Sequence, residues 1–504
     1  MTVEVDVRIG RSAMPQRGTQ DRPMRLLLLG NFSGRGASGA ARGVAALRER
    51  PSRRVDLEMF ERVLAEMAPQ VALRTGAGEP TLLRFSSLDD FHPDRLFERD
   101  PRFERLRALR ARLLDPACFE EAAAELRTHG LSKGERGRVA PMATADDPER
   151  DSVTLQRLLG DRSAAQGAGA PSSASPIDAL IRRIVAPHIA SSSMPHLSSY
   201  LTAIDEVLGR QMRELLHAPA FRELEAAWRG THWLVCRLEL DEQLQLHLLD
   251  VTRDELLSDL VAGQRDPLDS DLARALQEAG KAERGHWTLL TALFSIGPST
   301  DDFNLLAALG AVASEVGAPL VLAATPALFG CQSTADLSDP RRWQPLAADL
   351  ARQWAELRHS AIAPSIGLVT PRVLLRLPYG KATDALERFA FEEQLSAPEH
   401  ETLLWGPGSL AVALLLGQAF ADGGWEQVAR PGQDIEDLPA YSFRRDGETQ
   451  LQPCAEGWIG ERAGQALLEH GLMPLLSDRQ APRARLMRLQ SVADAAQRLA
   501  GRWP

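Results

Sequence analysis

Lysine is almost missing from this chain of 504 residues: Lys133, Lys281 and Lys381 are the only ones, so arginine supplies nearly all of the 58 basic side chains. Arginine-biased codon usage explains this more simply than selection for forked carboxylate pairing. Positive charge is also outnumbered, with 68 Asp and Glu and a net charge of −10, so the whole molecule lacks the field that non-specific nucleic-acid binding needs. Only 5% of residues are aromatic, and the four cysteines, Cys118, Cys236, Cys331 and Cys454, form no C-x-x-C pair. That spacing excludes a zinc ribbon, a thioredoxin-type site and a disulfide framework, and the thiols are expected reduced and buried. Long apolar runs are missing too. The best, Leu410 to Leu416, is far short of the roughly 20 residues that cross a bilayer. The start, MTVEVDVRIG, has neither part of a secretory signal. A cytoplasmic protein without membrane insertion is expected.

What is present is ordinary globular composition, 44% hydrophobic and 25% charged, and a length worth about three domains at about 150 residues each. Val3, Val5, Val7 and Ile9 alternate with charged residues, the period of a strand with one apolar face. After a polar stretch, Leu26 to Leu29 reads as a strand buried on both faces. A strand over Arg54 to Leu57 and a helix carrying Phe60, Val63, Leu64 and Met67, stopped by Pro69, come next. A strand near Leu82 to Phe85 leads, through cap residues, to a helix with Phe103, Leu106, Leu109 or Arg110, and Leu113 on one side. Residues 131–176 lose this pattern and have linker composition. One island interrupts them, where Leu155, Leu158 and Leu159 share a face of a short helix that either docks on the protein's own body or offers itself to a partner's groove.

From residue 177 helices predominate at first, including one over Phe221 to Arg229 that Gly230 is expected to close, with Trp233 to Val235 leading into strands. Strands are expected at Leu244 to Leu249, Leu289 to Ile296, Leu320 to Ala324 and Ile366 to Val369, with helices at Asp302 to Val316 and Leu410 to Phe420 between them. The alternation indicates an α/β fold with a partly parallel sheet.

Chemistry is hard to find. Gly34-Arg35-Gly36-Ala37-Ser38-Gly39 matches G-x-G-x-x-G literally and precedes a helix expected from Ala40 to Arg50, yet it begins several residues beyond the strand end and carries no Walker lysine. It reads as a surface loop. No G-x-S-x-G, H-E-x-x-H or EF-hand pattern occurs. His188 with His196, and His217 with His232, lack metal-ligand spacing and a third ligand. Asp301-Asp302 and Glu392-Glu393 are adjacent carboxylates, which mark a helix start or a solvated face more often than a site. Around Arg372, Arg376 and Tyr379 a packed ring and ion-paired arginines are expected rather than an anion site. No catalytic residue, cofactor or metal is assigned.

Longer blocks are more telling. Phe221-x-x-Leu224-Glu225-x-x-Trp228-Arg229-Gly230-x-x-x-Leu234 is followed by Ala323-Ala324-x-Pro326-x-Leu328-Phe329-Gly330 and Trp354-x-x-Leu357-Arg358. Then come Pro371-Arg372-x-Leu374-Leu375-Arg376-Leu377-Pro378-Tyr379-Gly380, Phe389-x-Phe391-Glu392-Glu393 and Leu404-Trp405-Gly406. In this order they resemble the large subunit of the type VI secretion contractile sheath (TssC or VipB). The N-terminal part, above all Ser87-Leu88-Asp89-Asp90-Phe91-x-Pro93-Asp94, is similar to the small sheath subunit (TssB or VipA). The resemblance implies two sheath-type α/β modules, normally separate chains in an intertwined heterodimer, fused here. They would be a small-subunit-like module at 1–130, a flexible linker at 131–176, a large-subunit-like module at 177–492 and a tail at 493–504.

It further implies a structural subunit, not an enzyme, that assembles around an inner tube and contracts to propel it. Its partners would be other sheath subunits, the inner tube protein, baseplate components and the AAA+ ATPase that recycles the sheath. Leu155, Leu158 and Leu159 occupy a place comparable to the short helix that this ATPase binds. Val3, Val5, Val7 and Ile9 would form an inter-subunit edge strand. The resemblance ends near Gln490-Ser491-Val492, whereas the family continues for about another domain that links neighbouring subunits. A sheath component completed by another chain, and a non-polymerising accessory that caps, nucleates or regulates the sheath or baseplate, are therefore both open.

Overall fold

The computed structural model describes residues 22–35, 47–73, 80–131, 197–262, 266–281, 285–395, 400–445, 447–478, 481–494 and 496–503. The run of leucines near the N-terminus forms β1 (Met24–Gly30), and all seven of its residues are buried. The other strands are β2 (Arg53–Val55), β3 (Gln70–Leu73), β4 (Thr81–Arg84), β5 (Leu244–Asp250), β6 (Leu289–Ile296), β7 (Leu320–Ala324), β8 (Ile366–Thr370), β9 (Val373–Leu374), β10 (Trp405–Gly406), β11 (Asp434–Ile435), β12 (Ser442–Arg445), β13 (Glu448–Leu451), β14 (Leu472–Ser477) and β15 (Ala484–Leu486).

Nine of them make one sheet in the order β11-β15-β14-β8-β7-β6-β1-β5-β2. From β14 to β5 every pair is parallel, while β2 and β15 run against that direction at the two ends, and β11 pairs antiparallel with β15. β1 lies between β5 and β6, with Met24 opposite Leu244 and Leu26 opposite Leu289. The N-terminal segment is therefore built into the middle of a sheet whose other central strands come from more than two hundred residues later. A strand in that position must be apolar on both faces, which is why its sequence is a continuous run and not an alternation.

The helices used below are α1 (Phe60–Met67), α2 (Pro93–Arg99), α3 (Glu104–Leu114), α4 (Phe119–Leu131), α5 (Leu197–Leu216), α6 (Pro219–Val235), α7 (Thr300–Val316) and α8 (Ser409–Val428). Leu27 and Leu29 join Leu249, Leu290, Leu320 and Leu306 of α7 in the core on one face of the sheet. Leu26 and Leu28 point to the other face, which α8 covers, with α6 packed on α8 in turn. Enclosed on both sides, α8 is buried at every position from Ser409 to Gly417, as an apolar-all-round helix must be. Among the described residues no helix is long and apolar enough to cross a membrane.

The structure departs from the sequence reading in several places. Of the thiols expected buried, Cys331 and Cys454 are, but Cys236 is exposed and Cys118 half-buried, because both stand at helix ends, Cys236 just after α6 and Cys118 just before α4. Gly230 does not close α6, which runs on through Trp233 to Val235. A Cβ at position 230 would come 2.5 Å from Cδ1 of the buried Leu410, so the glycine allows a close crossing of α6 over α8 instead of a stop. The residues after Pro69 form a strand, β3, paired antiparallel with β4. The strand expected to reach Leu57 ends at Val55, and Leu57 is exposed.

The chain folds as two compact units, residues 1–101 with 211–504, and residues 102–210. The first holds the nine-stranded sheet. The described part of the second is helical: α3, α4 and the larger part of α5 bury Leu106, Leu109, Leu113, Leu126, Ile204 and Leu208. Arg110 bridges Asp205 at 2.7 Å and Arg112 bridges Glu125 at 2.6 Å.

Candidate functional site

The segment before residue 101 meets the later chain along α6. Phe221, Leu224 and Trp228, at i, i+3 and i+7, put one apolar stripe of that helix against an aromatic nest. Trp228 is fully buried between Phe32 at 5.5 Å and Phe60 at 5.8 Å, both edge-on, and its Nε1 donates to the Phe32 carbonyl at 2.9 Å. Phe221 meets Phe85 and Phe91 edge-on, and those two rings stack at 4.1 Å. Much of the molecule's small aromatic content is spent on this one seam.

The next positions on α6 carry charge. Glu225 is buried and accepts from Arg229 Nε at 2.7 Å and from Arg376 Nε at 2.8 Å. Arg376 reaches Glu393 Oε2 at 2.8 Å through Nη1 and Glu393 Oε1 at 3.2 Å through Nη2, and it stacks 4.3 Å from the centre of the Tyr379 ring. Arg229 Nη2 donates to the Tyr379 hydroxyl at 2.8 Å, and the Tyr379 N–H donates to Glu393 at 2.8 Å. Two guanidinium groups thus balance two carboxylates away from water, where an unpaired charge would be prohibitive. Burial alone would raise the Glu393 carboxyl, but the Arg376 charge and the hydrogen bonds around it outweigh burial and hold it at about 2. Burial pushes the Tyr379 hydroxyl up to about 12, against the pull of Arg229 and Arg376.

The segment that supplies Tyr379 and Glu393 is tied to α2 as well. Asp94 accepts the backbone N–H groups of Glu387 at 3.0 Å and Arg388 at 3.2 Å, Arg388 pairs with Glu98, and Phe97 packs on Phe389 at 5.0 Å. Asp90 takes the N–H and hydroxyl of Ser86 and pairs with Arg99, which sets the turn that enters α2. The Ser87 to Asp94 block and three of the blocks quoted above, those around Phe221, Tyr379 and Phe389, therefore converge on one seam. Of the adjacent pair Glu392-Glu393, only Glu392 is solvated, and Glu393 belongs to the buried cluster. The pair Asp301-Asp302 does mark a helix start: Ser299 caps α7 and Asp302 accepts from the Gly297 N–H and Ser299 hydroxyl. Arg372, Arg376 and Tyr379 are ion-paired or packed, as their sequence context suggested.

A second cluster lies beside β9 and β10. Ligand atoms of His400, Glu401 and Glu456 lie within 4.8 Å of one another, a donor set that a divalent cation could use. The Arg372 guanidinium already fills that role, bonded to Glu456 and 3.5 Å from Glu401, with His400 Nε2 2.7 Å from Glu456. Burial raises the Glu456 carboxyl, and hydrogen bonds from His400 and Arg372 more than reverse this. The residues are satisfied without a metal.

A cleft of about 520 Å³ opens at the carboxyl ends of β1, β5 and β6, bordered by Asn31, Arg222, Thr252, Arg253, Ser295 and Arg372. Ligands of parallel α/β sheets bind at such ends. Here the charges are largely answered by the protein: Arg253 bridges Asp302 at 2.7 Å and Arg372 pairs with Glu456. The loop after β1 turns inward, and the Ser33 N–H donates to the Asp250 carboxylate at 3.0 Å, while Arg35 bridges Asp250 at 3.0 Å. Gly34 is at φ +73°, and a Cβ there would lie 2.0 Å from the Gln70 carbonyl oxygen. The first glycine of G-x-G-x-x-G thus serves a close backbone approach, and an aspartate already holds the N–H that a phosphate would need. Gly36 to Gly39 and most of the helix expected from Ala40 lie outside the described residues, as do His188 and His196. His217 Nε2 is 3.5 Å from Glu393. Cys236 Sγ is 3.4 Å from His232 Nε2 at the exposed end of α6, where burial and Arg229 lower the pKa of the ring.

The two expected partner sites, Val3, Val5, Val7 and Ile9, and Leu155, Leu158 and Leu159, lie outside the described residues. Sequence reasoning missed Glu225 and Arg229 as members of a charge cluster. Their i, i+4 spacing on an otherwise apolar helix face was the available signal.

Residues 198–493 match the family model described as VipB (EvpB/VC_A0108, tail sheath N-terminal domain). Residues 7–123 match the model described as type VI secretion system, VipA, VC_A0107 or Hcp2. Among curated proteins the chain is similar to the type VI secretion system sheath protein TssC1 of Pseudomonas aeruginosa, at 31% identity over 317 residues. That alignment covers 61% of this chain and 64% of the relative's own length.

Proposed function

The chain belongs to the VipB family of type VI secretion tail-sheath proteins and joins to it a VipA-type segment; from that premise we propose that it is a fused structural subunit of a contractile sheath. The observation that carries this reading is β1, a strand of the VipA-type segment lying between β5 and β6 of the VipB-type segment. One polypeptide thereby supplies what two intertwined subunits would share. The buried cluster of Glu225, Arg229, Arg376 and Glu393 pins the seam, so movement during contraction falls between subunits and not across it.

In this reading the protein works in the cytoplasm and carries no catalytic site. It packs against other sheath subunits and the inner tube, meets the baseplate, and is recycled by an AAA+ ATPase that engages Leu155, Leu158 and Leu159. Val3, Val5, Val7 and Ile9 pair with the sheet of a neighbouring subunit by strand addition. The sheet's end strands β2 and β11 each present one edge that is unpaired among the described residues, which is where such an added strand would pair. Domain limits follow the two segments, 1–130 and 177–492, with 131–176 as the linker between them.

Negative-stain microscopy of the purified full chain, alone and with an inner tube protein, tests the proposal. Tubules with cogwheel cross-sections are expected. Discrete particles in every mixture would replace this reading with that of a non-polymerising accessory.

A further inference from the structure

A second cleft, of about 320 Å³, lies far from the seam in sequence, between the turn after α8 and the segments 486–490 and 496–503. Arg430, Arg488 and Arg498 border it together with Gln490, Leu499 and Trp503. Many guanidinium groups of the protein sit beside carboxylates, as those of Arg372 and Arg376 do, and others, such as Arg237 and Arg502, bond backbone carbonyls. Among the described residues Arg430 and Arg488 pair with no carboxylate, and Arg498 gives Nη2 to the Ala429 carbonyl. An acidic chain has gathered unneutralised positive charge around one concavity.

Gln490 supplies an independent observation. It is 1% exposed, and its Nε2 donates to the carbonyls of Leu468 at 2.8 Å and Leu472 at 2.9 Å. Those two acceptors set the orientation of the amide, because the flipped form would place its oxygen against both. Its Oε1 is left without a donor, which is costly for a buried acceptor. An occupant suited to the cleft brings negative charge for the arginines, and one that carries an N–H or O–H can also answer Gln490, which borders it. A nucleic-acid phosphodiester backbone answers the arginines but offers only acceptors, and a free phosphate brings nothing to rest on the side chains of Leu499 and Trp503. A peptide answers both: carboxylate side chains take the guanidinium groups, a backbone N–H reaches Gln490, and an apolar side chain rests on Leu499 and Trp503.

We propose that this cleft binds a carboxylate-rich peptide segment of another protein chain. The inference does not rest on the sheath reading, since a chain that forms no tubules and still binds such a peptide leaves it standing. The test is fluorescence anisotropy of a labelled peptide, Gly-Asp-Glu-Leu-Asp-Gly, titrated with the full chain. Binding should weaken by about tenfold between about 0.05 and about 0.3 M salt. It should fall by about tenfold or more in the Arg430→Ala/Arg488→Ala double variant. The thermal midpoint of that variant should match wild type, because both side chains are exposed. The isosteric Asn/Gln peptide should not bind. Absence of binding at about millimolar chain, unchanged affinity in the double variant, or tighter arginine-dependent binding of a single-stranded oligonucleotide overturns the proposal.

Discussion

Replacing Arg376 with Met removes the group on which the seam's charge balance turns. Its guanidinium makes contacts with Glu225, Glu393 and the Leu377 carbonyl, and both carboxylates are almost fully buried. In wild type the drop of the Glu393 carboxyl from 4.5 to about 2 corresponds to about 3 kcal/mol of differential stabilisation of its charged form. Breaking a buried pair by removing one partner costs about 3–5 kcal/mol, because the other charge stays behind unpaired. Against a total stability of about 5–15 kcal/mol, the variant should be severely weakened at pH 7, with a loss of at least about 3 kcal/mol in urea unfolding followed by tryptophan fluorescence.

The pH dependence gives the sharper check. In wild type the folded Glu393 pKa lies below its unfolded value, so its contribution is complete above about 4.5 and is lost as pH falls towards about 2. Without Arg376, burial dominates and raises the folded pKa above the unfolded one. The variant should then recover stability as pH falls from 7 towards 5, while wild type does not. Adding Glu393→Gln to Arg376→Met should restore much of the loss, since Glu225 keeps its partner Arg229 and the double variant strands no charge. A loss under about 1 kcal/mol at pH 7, or an unchanged pH trend, would refute the argument that these buried charges depend on one another.

Two further substitutions test the packing of the same seam. Trp228→Ala should cost about 3–5 kcal/mol through the cavity left between Phe32 and Phe60, whereas Trp228→Phe should cost about 1–2 kcal/mol, chiefly the lost hydrogen bond to the Phe32 carbonyl; equal losses in urea unfolding would contradict that division. Gly230→Leu should destabilise by about 1–3 kcal/mol by forcing α6 away from Leu410, and thermal unfolding that leaves the midpoint unchanged would show that the crossing has slack.

The elements that were legible in the sequence are those whose cause is local. The continuous run Leu26 to Leu29 could only be a buried strand, and Phe60, Val63 and Leu64 show a helical stripe whatever they pack against. Gly230 misled because a glycine closing a helix and a glycine admitting a neighbouring helix look alike until α8 is in place. β3 was missed because four residues after a proline carry little periodicity, and their partner, β4, decides their state. Glu392 and Glu393 are the same residue type side by side, and only the placement of Arg376 makes one a solvated charge and the other a buried one.

By itself the sequence determined the α/β class, the buried character of β1, and, through blocks of aromatic and charged residues in a set order, the sheath family. Tertiary structure alone decided that β1 sits between β5 and β6, and that residues from 32 to 393 meet at one seam. The physical reason is that strand order and charge pairing are contacts between residues hundreds of positions apart, and a pattern with a period of two or 3.6 residues carries no information about which distant partner completes it.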